Sequence, residues 1–347
     1  MGLLVLLAVA GGLWVLLVVA GVVWQMNRPR RKTLAVALGM GGVGDPAELG
    51  MAGREVSFNL SDGSVSPGWI VAGDRADDPT APGAVVVHGH RDSRFGSLYR
   101  AEMLRRYVAW SVVFDLPGHG DAAARSCTMA VREPADVWAV VEGLEGSMLA
   151  GRPLVLLGYS MGAVIATRAA AERDVVGDEA SDASEEQRRP RGESSGARGR
   201  LAGVVACAPY RYWDEGLRGQ MRRRRLPQVP TVWLVGAVLS AAAWVSRRWG
   251  RRRGWGWGQP PGLDTARLAA RVSVPLLVLH GDADRVCPLS AGRAVAEAAP
   301  RGRLVVVPGG THNQLLAADG ELVHRELSAF FEQLDRQWAE DHGQTGG

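Results

Sequence analysis

Apolar residues in this chain gather into short runs separated by polar loops, with room for a helix between most neighbouring runs. Ala84–Val87, Trp110–Phe114, Leu154–Leu157, Leu201–Cys207, Val274–Leu279 and Leu304–Val307 are mostly apolar without alternation, as in strands buried on both faces. Between them, Arg100–Tyr107, Ala135–Leu149, Ala163–Ala171, Thr265–Arg271, Ala291–Ala299 and the amphipathic Leu322–Trp338 read as helices. Glu55–Leu60 alternates instead. The turn Ser61-Asp62-Gly63 and a further strand, Trp69–Ala72, then predict an antiparallel hairpin. The resulting class is α/β: a mostly parallel sheet of about eight strands, covered by helices on both faces.

Several segments fall outside that rhythm. Gly2–Trp24 is 23 residues without a charge. As a helix it spans about 35 Å, enough to cross a bilayer core. A secretory signal would want a basic start and a shorter apolar core, so residues 2–24 read as an uncleaved transmembrane anchor. Arg28, Arg30, Arg31 and Lys32 follow, and this excess of positive charge predicts the C-terminal bulk of the chain on the cytoplasmic face of a membrane, with the opposite orientation as the alternative. Residues 25–54, Gly-rich in their second half, read as a tether, 55–337 as the main domain and 338–347 as a polar tail. Residues 177–200 are Ser, Glu, Arg and Gly with little apolar content, and read as a disordered surface loop.

Residues 210–262 read as a cap inserted between the sixth and seventh core strands. Within them Val229–Val245 is 17 residues without a charge, apolar on all sides, and eleven arginines against two acidic residues between Arg211 and Arg253 give a local balance of +9. A helix apolar all round is either buried or in lipid. The segment is therefore read as a lid, with or without membrane contact; a second membrane span is the remaining alternative, disfavoured by the basic clusters at both ends. With membrane contact, Trp233, Trp244, Trp249, Trp255 and Trp257 would sit at headgroup depth and the arginines on anionic lipid.

Composition adds mainly exclusions. The chain has 347 residues, 47% of them hydrophobic, and a formal charge of +4. Cys127, Cys207 and Cys287 are spaced for neither zinc nor a redox pair, and read as buried or free thiols in a reducing compartment. There is no P-loop and no dinucleotide-binding glycine pattern after a strand. Nothing calls for a metal or an organic cofactor, and no nucleic-acid partner is expected.

The candidate chemistry lies at strand ends. Leu154–Leu157 runs into Gly158-Tyr159-Ser160-Met161-Gly162, a G-x-S-x-G pattern between a buried strand and a helix, which exposes a serine beside a helix N-terminus. A serine hydroxyl needs a base, usually a histidine oriented by a carboxylate. Later strand-end loops supply Asp284 or Asp282, then His312. With the His88-Gly89 turn, Asp115-Leu116-Pro117-Gly118-His119-Gly120, His280-Gly281-Asp282-Ala283-Asp284 and Gly310-Thr311-His312, the sequence resembles the α/β-hydrolases over about residues 55–337.

That resemblance implies an α/β-hydrolase fold with a helical cap, and a Ser160 nucleophile, His312 base and Asp284 acid, with Asp282 as the competing acid. It implies oxyanion donors at the backbone N–H groups of Met161 and His90. His90 stands where the family often has an apolar or small residue, which leaves the role of its imidazole open. His88 and His119 look structural. Arg91 and Arg94 are available to bind an acidic group, with solvated surface as the default. The implied activity is hydrolysis of an ester or thioester with an acyl-chain or lipid-like substrate. A peptidase, an acyltransferase, a non-catalytic membrane scaffold or an anionic-lipid-binding protein remain alternatives, because fold and triad do not set the acyl acceptor.

Overall fold

The computed structural model describes residues 2–123, 126–144, 148, 152–182, 200–223, 231–238, 240 and 263–343. Eight strands form one sheet: β1 Gly53–Asn59, β2 Val65–Ala72, β3 Gly83–Val87, β4 Trp110–Phe114, β5 Pro153–Tyr159, β6 Arg200–Cys207, β7 Leu276–Gly281 and β8 Gly302–Val307. Their order is β1-β2-β4-β3-β5-β6-β7-β8. β1 and β2 are the expected antiparallel hairpin, and β2 also runs antiparallel to β4. All later pairings are parallel.

The helices are α1 Gly2–Asn27, α2 Leu34–Gly39, α3 Arg94–Leu104, α4 Glu133–Glu142, α5 Met161–Asp182, α6 Trp213–Arg223, α7 at 231–238, α8 Thr265–Ala269, α9 Leu289–Ala298 and α10 Leu315–Gly343. Strand residues alternate between the two faces. Val85, Val87, Leu154 and Leu156 join the core shared with Val137, Ile165 and Val295. Ala84, Val86, Val155 and Leu157 point the other way, to Leu98, Leu104, Phe330 and Phe331. Both sides of each central strand are therefore dry, which is why these runs do not alternate in sequence. Each fully buried Val or Leu contributes about 2 kcal/mol relative to exposure.

Two helix limits differ from those the sequence pattern predicts. α3 starts six residues earlier than expected, because Phe95, Ser97 and Leu98 are buried. α5 continues to Asp182, into the stretch read as loop. Residues 183–199 of that stretch lie outside the described residues, as do Trp244, Trp249, Trp255, Trp257, the arginines from 247 to 253 and residues 344–347. The expected tether carries α2 and a 3-10 turn, Pro46–Leu49, with Ala37 and Met51 buried against the α3 side of the core.

α1 is long and apolar enough to cross a membrane, and Leu3, Leu6, Leu13 and Leu17 are exposed along it. Its last turns behave differently, with Val19, Val23, Met26 and Asn27 buried against the domain. In the cap, α7 is two-faced rather than uniformly apolar in its surroundings. Val232 and Val235 are buried with Trp213 of α6, whereas Trp233 is 71% exposed. Arg211 and Asp264 pair at 2.8 Å and close the base of the insertion.

Candidate active site

β5 ends at Tyr159 and α5 begins at Met161, so Ser160 alone makes the turn. Its φ is +54°, a left-handed value that costs a non-glycine residue about 1–2 kcal/mol. The flanking glycines are a steric requirement. A Cβ at Gly158 would overlap the Gly162 carbonyl, and one at Gly162 would overlap the carbonyls of Val87 and His88. The turn is held by Ser160 N–H donating to the Cys207 carbonyl at 2.8 Å.

Two other strand-end loops bring their side chains to the same rim. Ser160 Oγ lies 3.0 Å from His312 Nε2, and His312 Nδ1–H donates to Asp284 Oδ2 at 2.7 Å. The carboxylate acceptor assigns the proton to Nδ1 and leaves the Nε2 lone pair facing the hydroxyl. The Asp284 side chain is fully buried while His312 is 13% exposed. Burial works against the charge on Asp284, but hydrogen bonds from His280 and His312 and the N–H groups of Val286 and Cys287 outweigh it and hold the carboxyl well below its usual range. Asp282, the competing acid, is exposed and accepts instead from Gly309 N–H at 2.7 Å. The geometry therefore pairs His312 with Asp284.

His280 heads the His280-Gly281-Asp282-Ala283-Asp284 motif, and the resemblance gave it no role of its own. It is fully buried, and its Nε2 lies 3.1 Å from the Cys287 carbonyl and 3.5 Å from Asp284 Oδ2. The shorter contact braces the turn that carries the acid. The available signal was its position at the end of β7, four residues before Asp284.

The opposite wall is the loop after β3. A Cβ at Gly89 would stand 3.3 Å from Ser160 Cβ and 3.2 Å from the Tyr159 carbonyl, so the main chain leading to His90 runs close past the serine. Met161 opens α5, where first-turn N–H groups lack intrahelical acceptors. His88 is fully buried. It accepts from Leu116 N–H at 3.0 Å and donates through Nδ1 to the Gly89 carbonyl at 2.8 Å, tying the loops after β3 and β4 together. His119 donates to the Pro117 carbonyl and packs edge-on to both His88 and His90. Burial lowers the pKa of His88, and of His119 further.

The default reading of Arg94 as solvated surface is corrected. Arg94 is 6% exposed, pairs with the fully buried Asp115 and with Asp121 at 2.9 Å, and lies over the Trp69 and Phe95 rings. The buried Asp115 needs a counter-charge, and Arg94 is within reach of it. Arg91 is exposed, as expected. The backbone of α6 at Gly219 runs against Val286, two residues beyond Asp284, so the cap rests on the acid loop. The three cysteines are buried and unbridged.

Among solved structures, the chain is similar to the esterase Pf2001 of Pyrococcus furiosus, with 18% identity, a TM-score of 0.59, and coverage of 88% of this chain and 98% of that one. It is similar to the esterase RhEst1 of Rhodococcus sp. ECU1013, with 18% identity, a TM-score of 0.52, and coverage of 81% and 99%. It is also similar to a membrane phospholipase A described as a bacterial virulence factor, with 19% identity, a TM-score of 0.51, and coverage of 96% and 97%. At such identities the likeness is one of fold. No curated protein matches the chain. A sequence model described as the alpha/beta hydrolase family matches residues 84–325, from β3 into α10 and across all three loops that meet at Ser160. On that match, this chain belongs to the alpha/beta hydrolase family.

Proposed function

We propose that this protein is a membrane-anchored serine hydrolase that cleaves a carboxylic ester or thioester through an acyl-enzyme on Ser160. The observation that carries this reading is the continuous set of contacts from Ser160 Oγ to His312 Nε2, and from His312 Nδ1 to the buried Asp284. His312 takes the serine proton as Oγ attacks the acyl carbon, and the imidazolium that forms is stabilised by Asp284. The developing oxyanion is received by the N–H groups of Met161 and His90. His312 then protonates the leaving alcohol or thiol. A water molecule, deprotonated by the same nitrogen, releases the acid and restores the serine.

An apolar acyl group is favoured by the surroundings. The apolar helix α1 reaches the domain at the loop of His90, whose Gly89 passes beside Ser160. The neighbours named as esterases and as a membrane phospholipase agree with an ester substrate met near lipid. The basic residues after α1 favour the cytoplasmic side, although Arg31 and Lys32 also bind the domain itself.

The test is hydrolysis of p-nitrophenyl esters of graded chain length by the detergent-solubilised protein and by Ser160→Ala, with fluorophosphonate labelling in parallel. Ser160-dependent turnover and labelling support the reading. A folded wild type that neither turns over nor labels would leave a non-catalytic membrane scaffold of this fold.

A further inference from the structure

α1 does more than lead away from the domain. The last carbonyls of a helix have no intrahelical partner and must find one elsewhere. Pro29 stops α1 from continuing, and the carbonyls at its end are taken up largely by the domain. Asn27 O accepts from Cys127 N–H at 2.9 Å. Met26 O lies 3.1 Å from His90 Nε2. A carbonyl can only accept, so the imidazole carries its proton on Nε2 and donates it to Met26.

The same loop is caught a second time. Lys32, just beyond α1, pairs with Asp92 at 3.1 Å, and Arg31 donates to the Ala122 carbonyl at 2.9 Å. Val19, Val23 and Met26 are buried against the domain beneath these bonds. The loop after β3 is thus fastened at His90 and at Asp92 to the exit of the N-terminal helix, while its Gly89 passes beside Ser160. Burial of the His90 ring lowers its pKa to about 4, so it is a neutral donor near pH 7.

We infer that the inner end of α1 is a working part of the site: the bond from the His90 imidazole to the Met26 carbonyl positions the main-chain N–H of His90 that receives the oxyanion. His90 is then a positioning residue through its side chain, and the membrane helix is a wall of the oxyanion loop rather than a detachable tether. The inference rests on the reading of Ser160, His312 and Asp284 as the catalytic triad. It extends that reading to the helix.

The experiment uses the full chain in detergent micelles and the water-soluble ester p-nitrophenyl butyrate, so that access to lipid does not limit the rate. His90→Leu keeps bulk but removes the donor, and His90→Gln keeps a donor. With the N–H displaced, His90→Leu lowers kcat about tenfold with KM within about twofold, whereas His90→Gln stays within about threefold of wild type. Amide exchange of residues 88–94 is faster in His90→Leu than in wild type or His90→Gln, and this readout needs no turnover. Wild-type kcat in His90→Leu, a His90→Gln as slow as His90→Leu, or unchanged exchange over 88–94 overturns the inference. If His90→Leu does not fold, His90→Met, which also lacks the donor, carries the same test: faster exchange over 88–94 with lower kcat supports the inference, and no change in both overturns it. A wild type without activity defeats the triad reading instead, and the exchange comparison then judges the loop contact alone.

Discussion

The main-chain N–H of Ser160 donates to the carbonyl of Cys207 at 2.8 Å, pinning a residue of left-handed backbone conformation to the neighbouring strand. The strain belongs to the backbone and is separable from the chemistry of the hydroxyl. Ser160→Gly and Ser160→Ala are both expected to abolish turnover, but Ser160→Gly is expected to be more stable by about 0.5–1 kcal/mol, since glycine accepts φ of +54° without a Cβ penalty. Denaturant titration of the two variants measures the difference, and a less stable Ser160→Gly would contradict the strain argument.

The two carboxylates of the loop after β7 predict opposite outcomes. Asp284→Asn removes the acceptor that orients His312 and is expected to reduce kcat by about four orders of magnitude. Asp282→Asn keeps an oxygen for Gly309 N–H and is expected to stay within about threefold of wild type. Steady-state kinetics on one soluble ester decides between them. Comparable losses in both variants would count against the assignment of the acid.

The buried histidines make stability fall in mild acid. His90 is held to about 4, and His88 and His119 also lie below their ordinary value, in each case chiefly through burial. An unfolded chain takes up these protons near pH 6.5, and the folded chain resists. Between that value and about 4 the unfolded state binds more protons, so stability rises with pH, at about 1.4 kcal/mol per pH unit for each histidine concerned. His90→Gln is expected to flatten the profile by about one such share. Thermal unfolding across that range, wild type against variant, tests it, and parallel profiles would show that His90 does not contribute.

Arg94 and Asp115 form the buried ion pair of the loops behind the site. Arg94→Met leaves the Asp115 carboxylate enclosed with, among the described residues, the N–H groups of residues 94 and 121 as donors. A loss of about 3–5 kcal/mol is expected. Replacing both residues by apolar ones is expected to cost less than Arg94→Met alone, because no charge is then stranded. Urea titration of the single and double variants tests this, and a double variant weaker than the single one would refute it.

Much of this architecture is written locally. The central strands could be read because a strand buried on both faces must be apolar at every position, as Val85, Val86 and Val87 are. The nucleophile turn could be read because only glycine fits at 158 and 162, and that steric demand leaves a short pattern in the chain. The order of serine, acid and histidine followed from loops at the ends of strands already located.

Other features required the three-dimensional chain, because each depends on which distant groups share a space. Asp282 and Asp284 stand two apart on one loop; the resemblance favoured Asp284, and folding supplies the physical difference, leaving Asp282 exposed and burying the Asp284 side chain against His312. Arg94 reads as surface until the fold encloses Asp115 beside it. α1 reads as an anchor from its composition. That its last turns dock on the domain, with Met26 meeting a histidine 64 residues away, is decided by packing and by the need of helix-end carbonyls for donors. Sequence alone determined the strands, the turn and the residue types able to do the chemistry. Tertiary structure decided which charges are buried, which carboxylate meets His312 and what the loop after β3 is fastened to, because those are properties of neighbours brought together by folding rather than of runs along the chain.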